Sequence, residues 1–187
     1  VNQRAGTTIA RGAFSELRSK YDALISANLH PDYPEDRHIM LTRIRGWTVY
    51  KGFSRFVNLE YQVQFAHRGN SIQYYFHMPA GGGMHIPLLV QMVLDPHEDH
   101  LVIFIKRLRS AELNTPPADD PIRLILRPDI ESRNHHELTK AYEGPEDQWP
   151  GAIREQEAGF DFVEGPGRLD MQLSKGRFVR EDEWQYM

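Results

Sequence analysis

Between residues 38 and 108 the apolar side chains return at every second position, in short runs separated by turn-forming clusters. "HIMLTRIRGWTVY" (38–50) alternates apolar and polar residues. In "VNLEYQVQF" (57–65), Val57, Leu59, Tyr61, Val63 and Phe65 fall on one face. A period of two sends successive side chains to opposite sides of an extended chain, so these runs predict half-buried strands. "HRGN" is a turn, and "SIQYYFHM" (71–78) completes a hairpin with the preceding run. "PAGGGM" (79–84) reads as a flexible break. "IPLLVQMVL" and "LVIFIKRL" flank "DPHEDH" and form a second hairpin; their near-continuous apolar character predicts central strands covered on both faces.

The rest of the chain adds strands and loops. "SAELNTPPADDP" (110–121) is a loop and "IRLILRPDI" (122–130) a strand. "AYEGPEDQWPGAI" (141–153) is a long irregular connection. "GFDFVEGPGRLDMQLSKGRFV" (159–179) holds two or three short strands joined by glycine turns, with Pro96 and Pro166 in turns. Only "FSELRSKYDALISANL" (14–29) carries helical spacing: Phe14, Leu17, Tyr21, Leu24 and Ile25 share one side, and Ser15 stands at a capping position. The prolines of "HPDYPED" then mark an extended loop. The expected fold is mainly β, an antiparallel β-sandwich of the supersandwich kind, with one short helix near the N-terminus. At 187 residues a single domain over 1–187 is expected.

Composition narrows the function classes. The net charge of −4 offers no field for a phosphate backbone, so nucleic acid is a poor partner. No apolar run is long enough to span a bilayer, and with no cysteine, disulfide and thiolate chemistry are excluded and a cytoplasmic setting is favoured. The chain opens Val1-Asn2-Gln3 and closes Trp184-Gln185-Tyr186-Met187. Both ends read as cuts, so an excised piece of a longer protein is expected.

Three stretches carry chemistry-bearing residues. "DPHEDH" places His97, Glu98, Asp99 and His100 in one turn, yet a metal needs a further ligand that nothing nearby supplies, and solvated turns collect such residues anyway. "RPDIESRNHHE" gathers Arg127, Asp129, Glu131, Arg133, His135, His136 and Glu137. Carboxylate and imidazole together suit acid–base work. Against that, Asp129 pairing with Arg133 would hold a loop after the strand, with His135 half buried, and a sandwich rim does little to separate two carboxyl pKa values. The structural reading is preferred. "PAGGGMH" lacks the Lys-Ser/Thr of a phosphate loop, and Ser15, Ser19 and Ser26 lie in no nucleophile elbow. Among the aromatics that could stack on sugar rings, Trp47 and Trp149 stand out, and Trp149, between Gln148 and Pro150, is the one least expected in the core.

Several segments resemble glycogen debranching enzymes of the amylo-α-1,6-glucosidase type. Ser19, Lys20, Tyr21 and Asp22 stand as that family's "SKYD" element. Asn28, Leu29, Pro31, Asp36, Arg37, Arg45 and Trp47 follow its "ANL-P-PEDR" stretch and its arginine- and tryptophan-bearing strand. "LRPDIESRNHHE" is similar to its strand-then-"RP-I-DR-FH" segment, with His135 where an aromatic is usual, and "EDEWQYM" resembles the junction into its catalytic domain. The resemblance implies a large β-sandwich preceding a helical toroid, a parent enzyme cleaving α-1,6-linked branch glucose, and a catalytic acid pair beyond Met187. On that view no catalytic residue, metal or cofactor is expected here. Trp47, Trp149, Arg127, Asp129, Arg133, His135 and His136 become the candidate contacts to α-glucan or to the neighbouring catalytic domain, and a dimer through an uncovered face is a further expectation. The alternative is an autonomous carbohydrate-binding module with exposed aromatics in line; a histidine-based metal-dependent enzyme ranks third.

Overall fold

The computed structural model describes residues 17–30, 33 and 36–184. Its longest element is β2 (Arg37–Tyr50), the strand predicted from alternation. On one side β2 pairs antiparallel with β1 (Ile25–Asn28) and, further along, with β3 (Phe53–Phe56). On its other side it pairs with β8 (Arg123–Asn134). A second antiparallel sheet has the order β4 (Gln62–Arg68), β5 (Ser71–Gly81), β6 (Met84–Leu94), β7 (Leu101–Arg107). A third is built from β9 (Ile153–Gln156), β10 (Gly159–Glu164) and β11 (Gly167–Gln172).

All three sheets contribute to one hydrophobic core, in which Met40, Ile44 and Tyr50 of β2 join Phe76, Met78, Val90 and Met92 of the second sheet and Phe160, Phe162 and Leu169 of the third. Sheets that are apolar on one face must cover that face, and layering them is the solution available to an all-antiparallel chain. The expected antiparallel sandwich is the architecture found, with no closed barrel.

Several local expectations fail for physical reasons. The stretch 17–24 is turn and bend, and Ile25–Asn28 is strand; the part of the expected helix before residue 17, with Ser15, lies outside the described residues, as do Pro31 and Pro34. Asp22 accepts from the backbone N–H of Arg18 (2.8 Å) and Ser19 (3.1 Å), closing a turn, and the exposed edge of β2 then recruits the next residues as β1. Pairing with a waiting strand overrides a weak helical preference. "PAGGGM" is no flexible break: β5 runs into it as far as Gly81, and Gly82 and Gly83 (φ +56° and +72°) form a two-residue hairpin turn to β6 that needs positive φ at both positions. In the expected strand 57–65, Leu59–Tyr61 is a 3-10 turn capped by the Asn58 side chain, so Val63 and Phe65 belong to edge strand β4 and remain exposed. β7 is also an edge strand rather than a central one, and Phe104 faces outward.

The chain's one α-helix among the described residues, α1 (Pro145–Ala152), lies where an irregular connection was expected. Proline at its first turn and Glu146 and Asp147 beside it favour the start, whereas Pro150 and Gly151 oppose continuation. Propensity alone would not form this helix; burial of Trp149 against Phe162 (5.4 Å) does. Arg107 orders the loop 110–121 by donating to the carbonyls of Pro116, Pro117 and Asp120.

Two glycine substitutions should move stability in opposite directions. A Cβ on Gly159 would stand 1.9 Å from the Met171 carbonyl oxygen, whereas one on Gly151 meets nothing within 4 Å. Gly159→Ala should lower unfolding free energy by about 3 kcal/mol. Gly151→Ala should raise it by about 0.5 kcal/mol. Urea titration of the two variants checks both signs.

Candidate functional site

From Arg43 onward β2 and β8 keep regular register, so Arg43 lies opposite Asp129, Arg45 opposite Arg127, and Trp47 opposite Ile125. Directly opposed residues in an antiparallel pair share a face. One face of this pair therefore carries three arginines in close company, and it is workable only with counter-charges. Asp129 accepts from Arg43 Nε at 2.6 Å and Arg45 Nε at 2.9 Å. Glu183 stands 2.9 Å from Arg127 and 3.7 Å from Arg45, and Glu181 is 3.6 Å from Arg127. The charges alternate along the surface as Arg43, Asp129, Arg45, Glu183, Arg127, Glu181.

This row lines a cleft of about 1000 Å³ that follows β8. The cleft is also lined by α1, the third sheet and the segment after β11, which bring the rings of Trp149, Phe160, Phe178 and Trp184 together with charged Glu146, Lys175, Arg177 and Arg180. The indole rings of Trp149 and Trp184 are 5.4 Å apart. Planar guanidinium and carboxylate groups beside aromatic rings offer both hydrogen bonding and apolar surface.

The other candidate residues fall elsewhere. Trp47 packs on Phe56 (5.2 Å) and is half-buried. Trp149, expected clear of the core, is 6% exposed. Asp129 does not pair with Arg133, and the strand expected to end at 130 continues through residue 134 instead of giving way to a loop. Arg133 is 4% exposed and pairs with buried Glu131 (3.2 Å), while its guanidinium also donates to the carbonyls of Glu137 (2.9 Å) and Lys20 (2.7 Å). Glu131 accepts in addition from Thr139 Oγ1 and from the Ser132 N–H. His135 and His136 lie past the end of β8, their rings 3.8 Å apart, with Tyr21 within 6.0 Å of both.

Sequence reasoning missed Arg43, Glu181, Glu183 and Trp184 as cleft residues. Two arginines spaced i, i+2 in an alternating strand were a visible signal, because they had to share a face and find anions. In the His97–His100 turn, Asp95 accepts from the His97 and Glu98 N–H groups, which hold its carboxyl below the usual value. No group of three His, Cys, Asp or Glu residues able to hold a metal occurs among the described residues.

The chain is thus a layered antiparallel β domain with an extended, charge-balanced cleft along its first sheet. The family model described as glycogen debranching enzyme N terminal matches residues 9–187, and the chain belongs to that family. No match was found among curated proteins or among solved structures. The chain is thus an accessory N-terminal domain of a glycogen debranching enzyme.

Removing Asp129, 16% exposed at its side chain, would leave Arg43 and Arg45 facing each other without their shared anion. Asp129→Ala should cost about 2 kcal/mol, between the exposed and buried limits for ion pairs. Glu181→Ala, at a side chain 76% exposed, should change stability by less than about 0.5 kcal/mol. Urea midpoints compare the two.

Burial lowers the His38 pKa against the raising influence of Asp36, Glu137 and Glu131, and burial followed by the neighbouring His136 lowers that of His135. The unfolded chain then binds protons more readily than the folded one below the ordinary imidazole value of about 6.5. Stability should be full above that pH and fall as pH drops toward the folded-state values. Thermal melts between pH 7.5 and 5.5 should show the loss, and His38→Gln should reduce it.

Proposed function

We propose that the domain packs on the catalytic part of a debranching glycoside hydrolase beside the β8 cleft, and that an α-glucan chain lies along that cleft. The observation that supports this is an alternating arginine–carboxylate row and aromatic rings lining one extended groove. Glucan hydroxyls both donate and accept, so a surface whose donors and acceptors alternate can engage successive sugars without demanding charge from the ligand. Of the cleft's rings, the half-buried Phe178 and Trp184 would meet the apolar face of a pyranose, while Trp149 and Phe160 stay in the core. A reducing, cytoplasmic setting suits this reading of a chain without cysteine.

Accessory standing is preferred to that of a self-sufficient carbohydrate-binding module. Such a module needs free aromatic faces in line, whereas Trp47 is engaged by Phe56 and Trp149 by Phe162 and Trp184.

Titration of the chain with maltoheptaose should change tryptophan fluorescence, because Trp149 and Trp184 both line the cleft. Arg127→Ala should weaken binding about tenfold, the effect of losing roughly 1.4 kcal/mol of charged hydrogen bonding. No reducing sugar should be released from a branched α-glucan. Absence of both heat and fluorescence change would remove the glucan from the cleft, and hydrolysis would overturn the accessory role.

A further inference from the structure

The core-facing side of the second sheet runs on past the packed centre toward the β4–β5 turn. On β5 the inward side chains are Ile72, Tyr74 and Phe76; pairing sets His67 of β4 and Met92 of β6 on either side of Ile72. Leu94 and Leu101 oppose each other one step further along β6 and β7. Directly opposed residues share a face, so all of these side chains stand on the core side. Tyr74 and Phe76 are fully packed within the shared core. Toward the turn the cover thins. Ile72 and Leu101 are only half-buried, and with Met92 and Leu94 they line a pocket of about 180 Å³.

The turn supplies the rest of the lining, His67, Gly69 and Asn70. Asn70 is pinned to the end of β6: its side-chain amide donates to the Leu94 carbonyl at 2.8 Å, and its own carbonyl accepts from the Leu94 N–H at 3.1 Å. His67 Nε2 lies 2.9 Å from the Gly69 carbonyl oxygen. A carbonyl only accepts, so Nε2 carries the proton and the neutral ring keeps Nδ1 as an acceptor. The three turn residues are exposed, whereas Met92 and Leu94 are buried. The pocket therefore has an aliphatic and thioether floor and a polar rim in contact with solvent.

This lining specifies the occupant's chemistry. An ordered water needs two or more polar partners, and the floor offers none, so water there is readily displaced. A dry apolar cavity of about 150 Å³ accepts a benzene-sized ring, which sets the scale for this one. Met92 supplies an adaptable side chain whose sulfur packs well against a ring. A charged group would lose its hydration against such a floor without a partner. A hydroxyl at one end of the ring stays at the rim, where histidine and asparagine can meet it. We infer that the pocket is a binding site for a small uncharged molecule of one hydrocarbon ring and one hydroxyl group. The ring rests on Ile72, Met92, Leu94 and Leu101, and the hydroxyl lies at the turn. The pocket shares no lining residue with the β8 cleft, so this site stands apart from the glucan reading.

Methyl NMR of the isotopically labelled 187-residue chain, titrated with benzyl alcohol, tests the site. The Ile72, Met92, Leu94 and Leu101 methyl signals should shift saturably, with a midpoint on the order of 1 mM for a ligand of this size. Benzoate, the same ring bearing a carboxylate, should need at least about tenfold more. Leu101→Phe, which adds a ring at the pocket, should abolish the response. Phe104→Leu, on the other face of β7, should leave it intact. Absence of a saturable shift overturns the proposal, as does an equal response at the core residues Ile86 and Val90. Benzoate binding as tightly as the alcohol, or a response that survives Leu101→Phe, overturns it too. Shifts of the same methyls on raising protein concentration alone would give the pocket to a second copy of the chain and count equally against it. The two-ligand comparison on the unmodified chain decides the matter even if a variant misfolds.

Discussion

Glu131 and Arg133 form an ion pair within the protein, and such a pair is tolerable only if every remaining donor and acceptor is met. That requirement reaches well beyond β8. Arg133 binds the carbonyls of Lys20 and Glu137, and Glu131 binds Thr139, so the pair ties the segment before β1 and the loop after β8 to the sheet. Because the two residues stand at i and i+2 on one strand, they share a face, and the segments they hold must cover that face. Tyr21 and the two histidines are brought together as a consequence.

The same logic applies, in a wetter setting, further along the strand pair. The face bearing Arg43, Arg45 and Arg127 is stable because Asp129 sits among them from within the sheet and Glu183 arrives from the segment following β11. That segment has no regular secondary structure, yet Trp184 packs on Trp149 and lines the cleft. The cleft thus draws on β2, β8, α1, the third sheet and the segment after β11, and helix α1 carries Trp149 into place.

The central strands were legible because alternation is a direct image of a half-buried sheet. β2, β5, β6 and β8 all announced themselves, and so did the glycine turn between β10 and β11. The errors have a common source. The 17–28 segment, the α1 helix and the edge placement of β4 and β7 all depend on what lies beside them, which periodicity does not encode. In the 127–137 stretch the right residues were visible, but their partners were not. Asp129 bonds to arginines 84 and 86 positions away, and Arg133 to a carbonyl 113 positions away.

Sequence by itself determined the strand-rich class, the absence of thiol chemistry and the charge-bearing character of β8, since these follow from residue identity and local spacing. Only the tertiary structure decided which charges meet, which tryptophans are buried, and which apolar side chains at the end of the second sheet share a pocket. Hydrogen bonds and ion pairs act over a few ångströms, and chain folding alone sets which distant residues come within that range.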